Sequence, residues 1–261
     1  MKKRFWFPLA TVAFLIAACG SASTLAVDST EVVEEPPATS APTEAVTATP
    51  SPEPSATPQA SATPEGLIFR DDFGEQLAEG WTWLNENPAN WAISGDGWLE
   101  IVGDDTFALD GGLGQNNMLL RELPAGNFAI TVHLQAEPDT NFQQAALWLW
   151  QDETSFVGLN RGFCAPCAGT GVYFDYKIPG LPPGNYATAL EATDVYLRIE
   201  IGSEQISMFY ATEPGDWVRV GRFGNVFAFT QVGLGVSNVD PFGVDDNLTG
   251  RFDWFEITTL P

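Results

Sequence analysis

The chain has 261 residues, with 11 Lys or Arg against 34 Asp or Glu and a formal net charge of −23. From residue 67 onward it carries 8 basic against 27 acidic residues, a net of −19. Such a surface repels phosphate backbones and anionic lipid head groups, which excludes nucleic-acid binding and electrostatic docking on a membrane.

The chain opens on Lys2-Lys3-Arg4 and the apolar run Phe5–Ala18. That run is about fourteen residues, short of the roughly 20 that a bilayer-spanning helix needs, and fits a signal-peptide core. It ends in Leu15-Ile16-Ala17-Ala18-Cys19-Gly20, which resembles the lipobox of bacterial lipoproteins. The resemblance implies cleavage before Cys19, lipid on its thiol and new amino terminus, and an exported protein held to the membrane by that lipid alone. Several acyl chains together anchor stably where one does not. Residues 20–66 are rich in Ala, Thr, Ser, Pro and Glu, with Pro36, Pro37, Pro42, Pro50, Pro52, Pro54, Pro58 and Pro64 recurring. Few large apolar side chains are present to offset the entropy of ordering, so this is expected to be a disordered spacer. Fully extended at about 3.1 Å per residue, it reaches on the order of 140 Å.

From Leu67 to Pro261, short apolar and aromatic runs alternate with turn residues. The pattern predicts strands at Leu67–Phe73, Trp91–Ile93, Trp98–Val102, Met118–Leu123, Phe128–Ala136, Ala145–Gln151 and Ser155–Asn160. Others follow at Gly171–Lys177, Val195–Ile201, Gln205–Ala211, Trp217–Val220, Gln231–Val236 and Arg251–Thr258. No window holds a helical period. The fold class expected is all-β, a two-sheet sandwich over 67–261. Alternation puts Phe128, Ile130, Val132, Leu134 and Ala136 on one face and Thr131, His133 and Gln135 on the other. It likewise turns Val195, Leu197, Ile199 and Ile201 inward and Tyr196, Arg198 and Glu200 outward, and it places Tyr173, Asp175 and Lys177 outward. The stretch Ala145–Arg161 predicts a central hairpin, apolar on both faces.

A series of landmarks runs through this region: Asp71-Asp72-Phe73, Gly80-Trp81-Thr82-Trp83, Glu86-Asn87-Pro88, Gly97-Trp98-Leu99-Glu100-Ile101 and Leu119-Leu120-Arg121. Ala146-Leu147-Trp148-Leu149-Trp150-Gln151-Asp152 and Tyr196-Leu197-Arg198-Ile199-Glu200 follow. The series closes on Phe209-Tyr210-Ala211-Thr212-Glu213-Pro214-Gly215-Asp216-Trp217 and Phe252-Asp253-Trp254-Phe255. Their order resembles the concanavalin A-like domain at the C-terminus of glycoside hydrolase family 43 β-xylosidases and its secreted bacterial relatives. The turn before Trp217 departs from the Ser-x-Asp-Gly usual there. In such enzymes the hydrolytic centre sits mainly in a separate propeller domain, so the resemblance implies an accessory jelly-roll sandwich. Many concanavalin A-like sandwiches also bind Ca²⁺ where first and last strands meet. This makes Asp72 and Asp253 the candidate ligands of one structural Ca²⁺.

A catalytic carboxylate pair does not emerge. Laminarinase-like enzymes of this general fold use a Glu-x-Asp-x-x-Glu strand, which this chain lacks. Asp253 and Glu256 are three apart and are expected on opposite faces of a regular strand. Lipidation of Cys19 leaves Cys164 and Cys167, and Cys164-Ala165-Pro166-Cys167 in an exported protein predicts a local disulfide. His133, the single His, is expected as an ordinary residue of a polar sheet face, with no Gly-x-Ser-x-Gly turn to suggest a triad. Sugars present an apolar C–H face and a polar rim, and stack on aromatic rings flanked by polar side chains. Trp148, Trp150, Asn160, Arg161, Tyr173 and Asp175 are the candidate ligand residues, with Trp148 and Trp150 flooring a groove if Leu147 and Leu149 face the core. Trp81, Trp83, Trp98 and Trp254 are expected in packing roles. The leading expectation is non-catalytic glycan binding; a glycoside-processing enzyme and an envelope interaction module are the alternatives.

Overall fold

The computed structural model describes residues 66–104, 116–182, 184–238 and 247–261. Cys19 and the spacer up to Glu65 lie outside the described residues. The strands are β1 (Leu67–Asp71), β2 (Thr82–Leu84), β3 (Trp91–Ile93), β4 (Leu99–Val102), β5 (Met118–Glu122), β6 (Phe128–Gln135), β7 (Gln144–Asp152) and β8 (Ser155–Cys164). They continue as β9 (Gly169–Lys177), β10 (Gly184–Ala189), β11 (Asp194–Ile201), β12 (Gln205–Ala211), β13 (Val218–Gly224), β14 (Gln231–Ser237) and β15 (Thr249–Thr259). No helix occurs among the described residues.

Two antiparallel sheets form the sandwich. One runs β13-β12-β11-β6-β15-β4-β3, with β1 paired to β15; the other runs β10-β9-β8-β7-β14-β5-β2. Alternation sets the inner faces. Ile130, Val132 and Leu134 of β6, Leu197 and Ile199 of β11, and Phe255 and Ile257 of β15 meet Leu147 and Leu149 of β7, Val157 and Leu159 of β8, and Val232 and Leu234 of β14 in one core. Each such side chain, removed from water, contributes about 1.5–3 kcal/mol to folding.

The central hairpin forms as its pattern predicts. Asp152 pairs with Ser155 across a two-residue turn, and Thr154 donates to Asp152 Oδ1 from its amide (2.7 Å) and hydroxyl (2.6 Å). At the far end β8 runs to Cys164, four residues beyond the predicted end, and returns as β9 at Gly169. Cys164 and Cys167 form a disulfide in this turn, their Cα atoms 5.3 Å apart. β2 and β10 are strands the sequence pattern does not mark: Thr82–Leu84 is too short for a period, and Gly184–Ala189 is rich in small residues.

β15 departs from regular alternation. Phe252 pairs with Leu134 and Trp254 with His133, so Asp253 is the extra residue of a β-bulge. The expectation that Asp253 and Glu256 face opposite sides is therefore corrected. Asp253 reaches His133 and Glu256 lies opposite Thr131, both on the outer face of that sheet.

Candidate functional site

The outer face of the seven-stranded sheet brings together most of the predicted ligand residues. Leu147 and Leu149 point into the core, so Trp148 and Trp150 point out. Register then fixes their neighbours: Trp148 lies opposite Gly158, which lies opposite Asp175; Ala146 lies opposite Asn160, which lies opposite Tyr173. These side chains share one face, but they are buried. Trp148, Asn160 and Asp175 are 0% exposed, Tyr173 2% and Trp150 4%. An open groove floored by the two indoles is therefore not what forms. The rings instead belong to a second apolar cluster with Met118, Leu120, Ala146 and Phe156. Phe156 stacks on Trp150 (5.6 Å, 18°) and meets Trp148 edge-on (5.6 Å, 77°). Gly158 is the seat of Trp148: a Cβ there would come within 2.5 Å of the indole.

Arg161 is separated from this set. It follows Asn160 on a strand, so it points to the opposite face, into the sandwich. There it is fully buried and donates to the carbonyls of Gly171 (3.1 Å) and Leu190 (2.7 Å). It ties β8 to the connection after β10, and burial lowers its pKa.

The polar part of the outer face centres on Asp175. Its Oδ2 accepts from Asn160 Nδ2 (2.8 Å) and from Gln144 Nε2 (3.2 Å). Gln144 was not among the predicted residues; extending the alternation of Ala146 and Trp148 two positions back finds it. Tyr173 donates its hydroxyl to Gly169 O at 2.5 Å, and burial raises its pKa. Among the described residues, three atoms on this face are buried without a hydrogen-bond partner: Trp148 Nε1, Asn160 Oδ1 and Gln144 Oε1. Each buried polar atom left unpaired costs about 1–3 kcal/mol.

The outer face of the other sheet holds a different cluster. His133 is engaged at both ring nitrogens, Nδ1 by Asp253 (2.8 Å) and Nε2 by Asp194 (2.5 Å), and it stacks on Tyr196 (4.4 Å, 12°). Gln135 and His133 together hold the Asp194 carboxyl below its ordinary pKa, against the opposing effect of burial. Trp98 and Trp254 lie beside this cluster on the open face, half-buried. Guanidiniums cover them, Arg251 over Trp98 (4.7 Å) and Arg70 over Trp254 (4.5 Å).

Of the candidate calcium ligands, Asp72 is bound by Arg70 (2.6 Å) and Asp253 by His133. Among the described residues, no three His, Cys, Asp or Glu side chains gather to hold a metal, and Ca²⁺ takes six to eight oxygens. Asp71, the neighbour of Asp72, is a structural residue. It is 5% exposed and accepts from Phe73 N, Ala78 N and Trp81 Nε1, each at 2.8 Å.

The model of the β-xylosidase C-terminal concanavalin A-like domain matches residues 70–258. Among curated proteins, none matches the chain. Among solved structures it is similar to the GH43 protein BlXynB of Bacillus licheniformis, with a TM-score of 0.64 and 18% identity over 78% of this chain and 41% of that one. It is similar to xylan β-1,4-xylosidase of Bacillus halodurans C-125, with a TM-score of 0.61 and 18% identity, again over 78% and 41%. A functionally unknown protein of Saccharomyces cerevisiae matches with a TM-score of 0.52 and 13% identity, over 70% of this chain and 97% of that one. The chain thus spans about 41% of the length of the two bacterial proteins, and at these identities the likeness is one of fold.

Proposed function

We propose, because this chain belongs to the family of β-xylosidase C-terminal concanavalin A-like domains, that its sandwich is a glycan-binding module without a hydrolytic centre of its own. The observation that carries this reading is the family match over residues 70–258; Trp148, Asn160 and Asp175 are buried in this structure and add no open sugar surface to it. Asp175, the buried carboxylate of the outer face, is an acceptor for two amides; a glycosidase needs a second carboxyl flanking the scissile bond.

Exposure of the intact protein to an array of plant, bacterial and host polysaccharides tests the reading. Saturable binding to one of them supports it, and no binding to any polysaccharide refutes it.

The same proposal places the domain outside the cytoplasm on a lipid at Cys19. The lipobox-like Leu15-Ile16-Ala17-Ala18-Cys19 supports this, as does the Cys164–Cys167 disulfide, a bond favoured in oxidising compartments. Cys19→Ser should move the protein from the membrane to the soluble fraction and abolish labelling by radioactive palmitate. Unchanged membrane association without the thiol would sink the anchor.

A further inference from the structure

A separate cleft opens where the two sheets come to their edges. β10 ends one sheet and β13 the other, and a cavity of about 210 Å³ lies between them, lined among others by Phe174, Tyr176, Tyr186, Arg222, Phe223 and Phe227. Its wall is a run of rings. Tyr186 stacks on Phe174 (5.6 Å, 14°) and Phe174 on Phe223 (5.7 Å, 9°), and Phe223 meets Phe227 at 5.8 Å. Glycines make room for this wall: a Cβ at Gly221 would come within 2.7 Å of Phe174, and one at Gly184 within 2.3 Å of Tyr176. Tyr186 stays 55% exposed, although such a ring gains by burial.

The polar groups at this cleft are uncommitted. Among the described residues, the Tyr176 and Tyr186 hydroxyls make no hydrogen bond, and Arg222 makes neither a hydrogen bond nor an ion pair. That is notable where acidic residues outnumber basic ones 27 to 8. Arg70, Arg198 and Arg251 each hold a carboxylate.

We propose that this edge cleft binds one carboxylate-bearing sugar ring, a uronic acid residue. Its volume is below the roughly 300–1,000 Å³ of clefts that hold drug-sized ligands, so it admits a single ring. The stacked aromatics take the apolar face of that ring, and the two phenols reach its hydroxyls. Arg222 leaves β13 on the face opposite Phe223, so its long side chain takes the carboxylate by reaching round this edge strand to the mouth of the cleft, where a guanidinium offers a paired set of donors. The acidic surface as a whole opposes any anion, and the positive charge of Arg222 offsets this locally for a carboxylate. The site lies on the core side of β9, whereas the buried Tyr173 and Asp175 occupy its other side.

Titration of the full-length protein with sodium D-glucuronate and with D-glucose at matched ionic strength, read by saturation-transfer NMR, tests this. Glucuronate should bind about tenfold more tightly than glucose, a difference of one 1.4 kcal/mol step. Arg222→Gln should erase that preference, leaving glucose binding unchanged. Tyr186→Ala, at an exposed position, should weaken both sugars; Asp72→Ala, an exposed carboxylate outside this cleft, should affect neither. Equal binding of the two sugars, undiminished glucuronate binding in Arg222→Gln, or absence of glucuronate binding would overturn the proposal. Benzoate binding more tightly than glucuronate, and displacing it, would overturn the sugar assignment in favour of an aromatic acid.

Discussion

Asp71 and Asp72 are adjacent, carry the same charge and are separated by their surroundings, so replacing each with Ala makes a controlled comparison. Asp71 Oδ1 holds the amide of Phe73, a buried residue at a φ of 57°, a region costly for a bulky side chain. Its Oδ2 holds Ala78 N and the indole of Trp81, a ring that packs edge-on against Phe255 (5.0 Å, 69°). Asp71→Ala leaves the Phe73 N–H buried and unpaired, at about 1–3 kcal/mol, and loses two part-buried charge-assisted bonds at about 1 kcal/mol each once water replaces them. The sum is about 3–5 kcal/mol, roughly 6–20 °C in Tm for a domain of this size. Asp72→Ala loses an ion pair whose carboxylate is 69% exposed, and Arg70 retains Glu256; such a pair contributes about 0–1 kcal/mol. Urea unfolding followed by circular dichroism measures both. Losses within 1 kcal/mol of one another would refute the assignment of Asp71 as the buried tie. Because Asp72 and Asp253 are held by Arg70 and His133, adding Ca²⁺ or EDTA should leave the wild-type and Asp72→Ala midpoints unmoved. A calcium-dependent rise lost in Asp72→Ala would restore the metal site.

Gly158→Ala should cost about 1–3 kcal/mol, because its methyl overpacks against the Trp148 ring, and thermal melting against wild type checks this. Arg161→Met should cost about 2–4 kcal/mol in urea unfolding, since the Gly171 and Leu190 carbonyls stay in place without their donor. The Asp194 carboxyl is held below its ordinary pKa in the folded protein, so the unfolded chain binds more protons as acid is added. Its stabilising contribution is complete above about pH 4, the unfolded value, and is lost as pH falls through the folded value. Asp194→Asn should therefore flatten the acid limb of a stability profile taken from pH 7 downward, leaving the neutral region parallel to wild type. An acid limb of unchanged steepness would count against this account.

Strand faces were legible where alternation was strict. In β6 and β11 the apolar residues at every second position face the core, as period two requires, and the same reasoning directs Trp148 and Trp150 away from it. Exposure was not legible there. Alternation specifies direction, and whether an outward residue meets water depends on what packs beside it. Asn160 and Arg161 show the limit of grouping by proximity in sequence: adjacent on one strand, they end on opposite sides of the sheet. The bulge at Asp253 was hidden for a related reason. One inserted residue reverses the parity of all that follows, and Phe-Asp-Trp-Phe reads as regular alternation until the register with β6 is known. The edge cleft escaped because its walls come from β9, β10 and β13, and β10 carries few β-branched or large residues to mark it.

β1 also determines how the domain meets mechanical load. Its five residues pair with β15, the sole partner strand it has among the described residues, and its first residue lies opposite Thr258. A pull transmitted through the residues before Leu67 therefore acts on a short strand held to its sheet by a single neighbour. Rungs at Leu67, Phe69 and Arg70 open in turn, and the tear then reaches Asp71, whose carboxylate grips Phe73, Ala78 and Trp81. The strand behaves as a short extensible leader fastened to a cleat. A few residues pay out under tension, and the sandwich behind Asp71 keeps its shape.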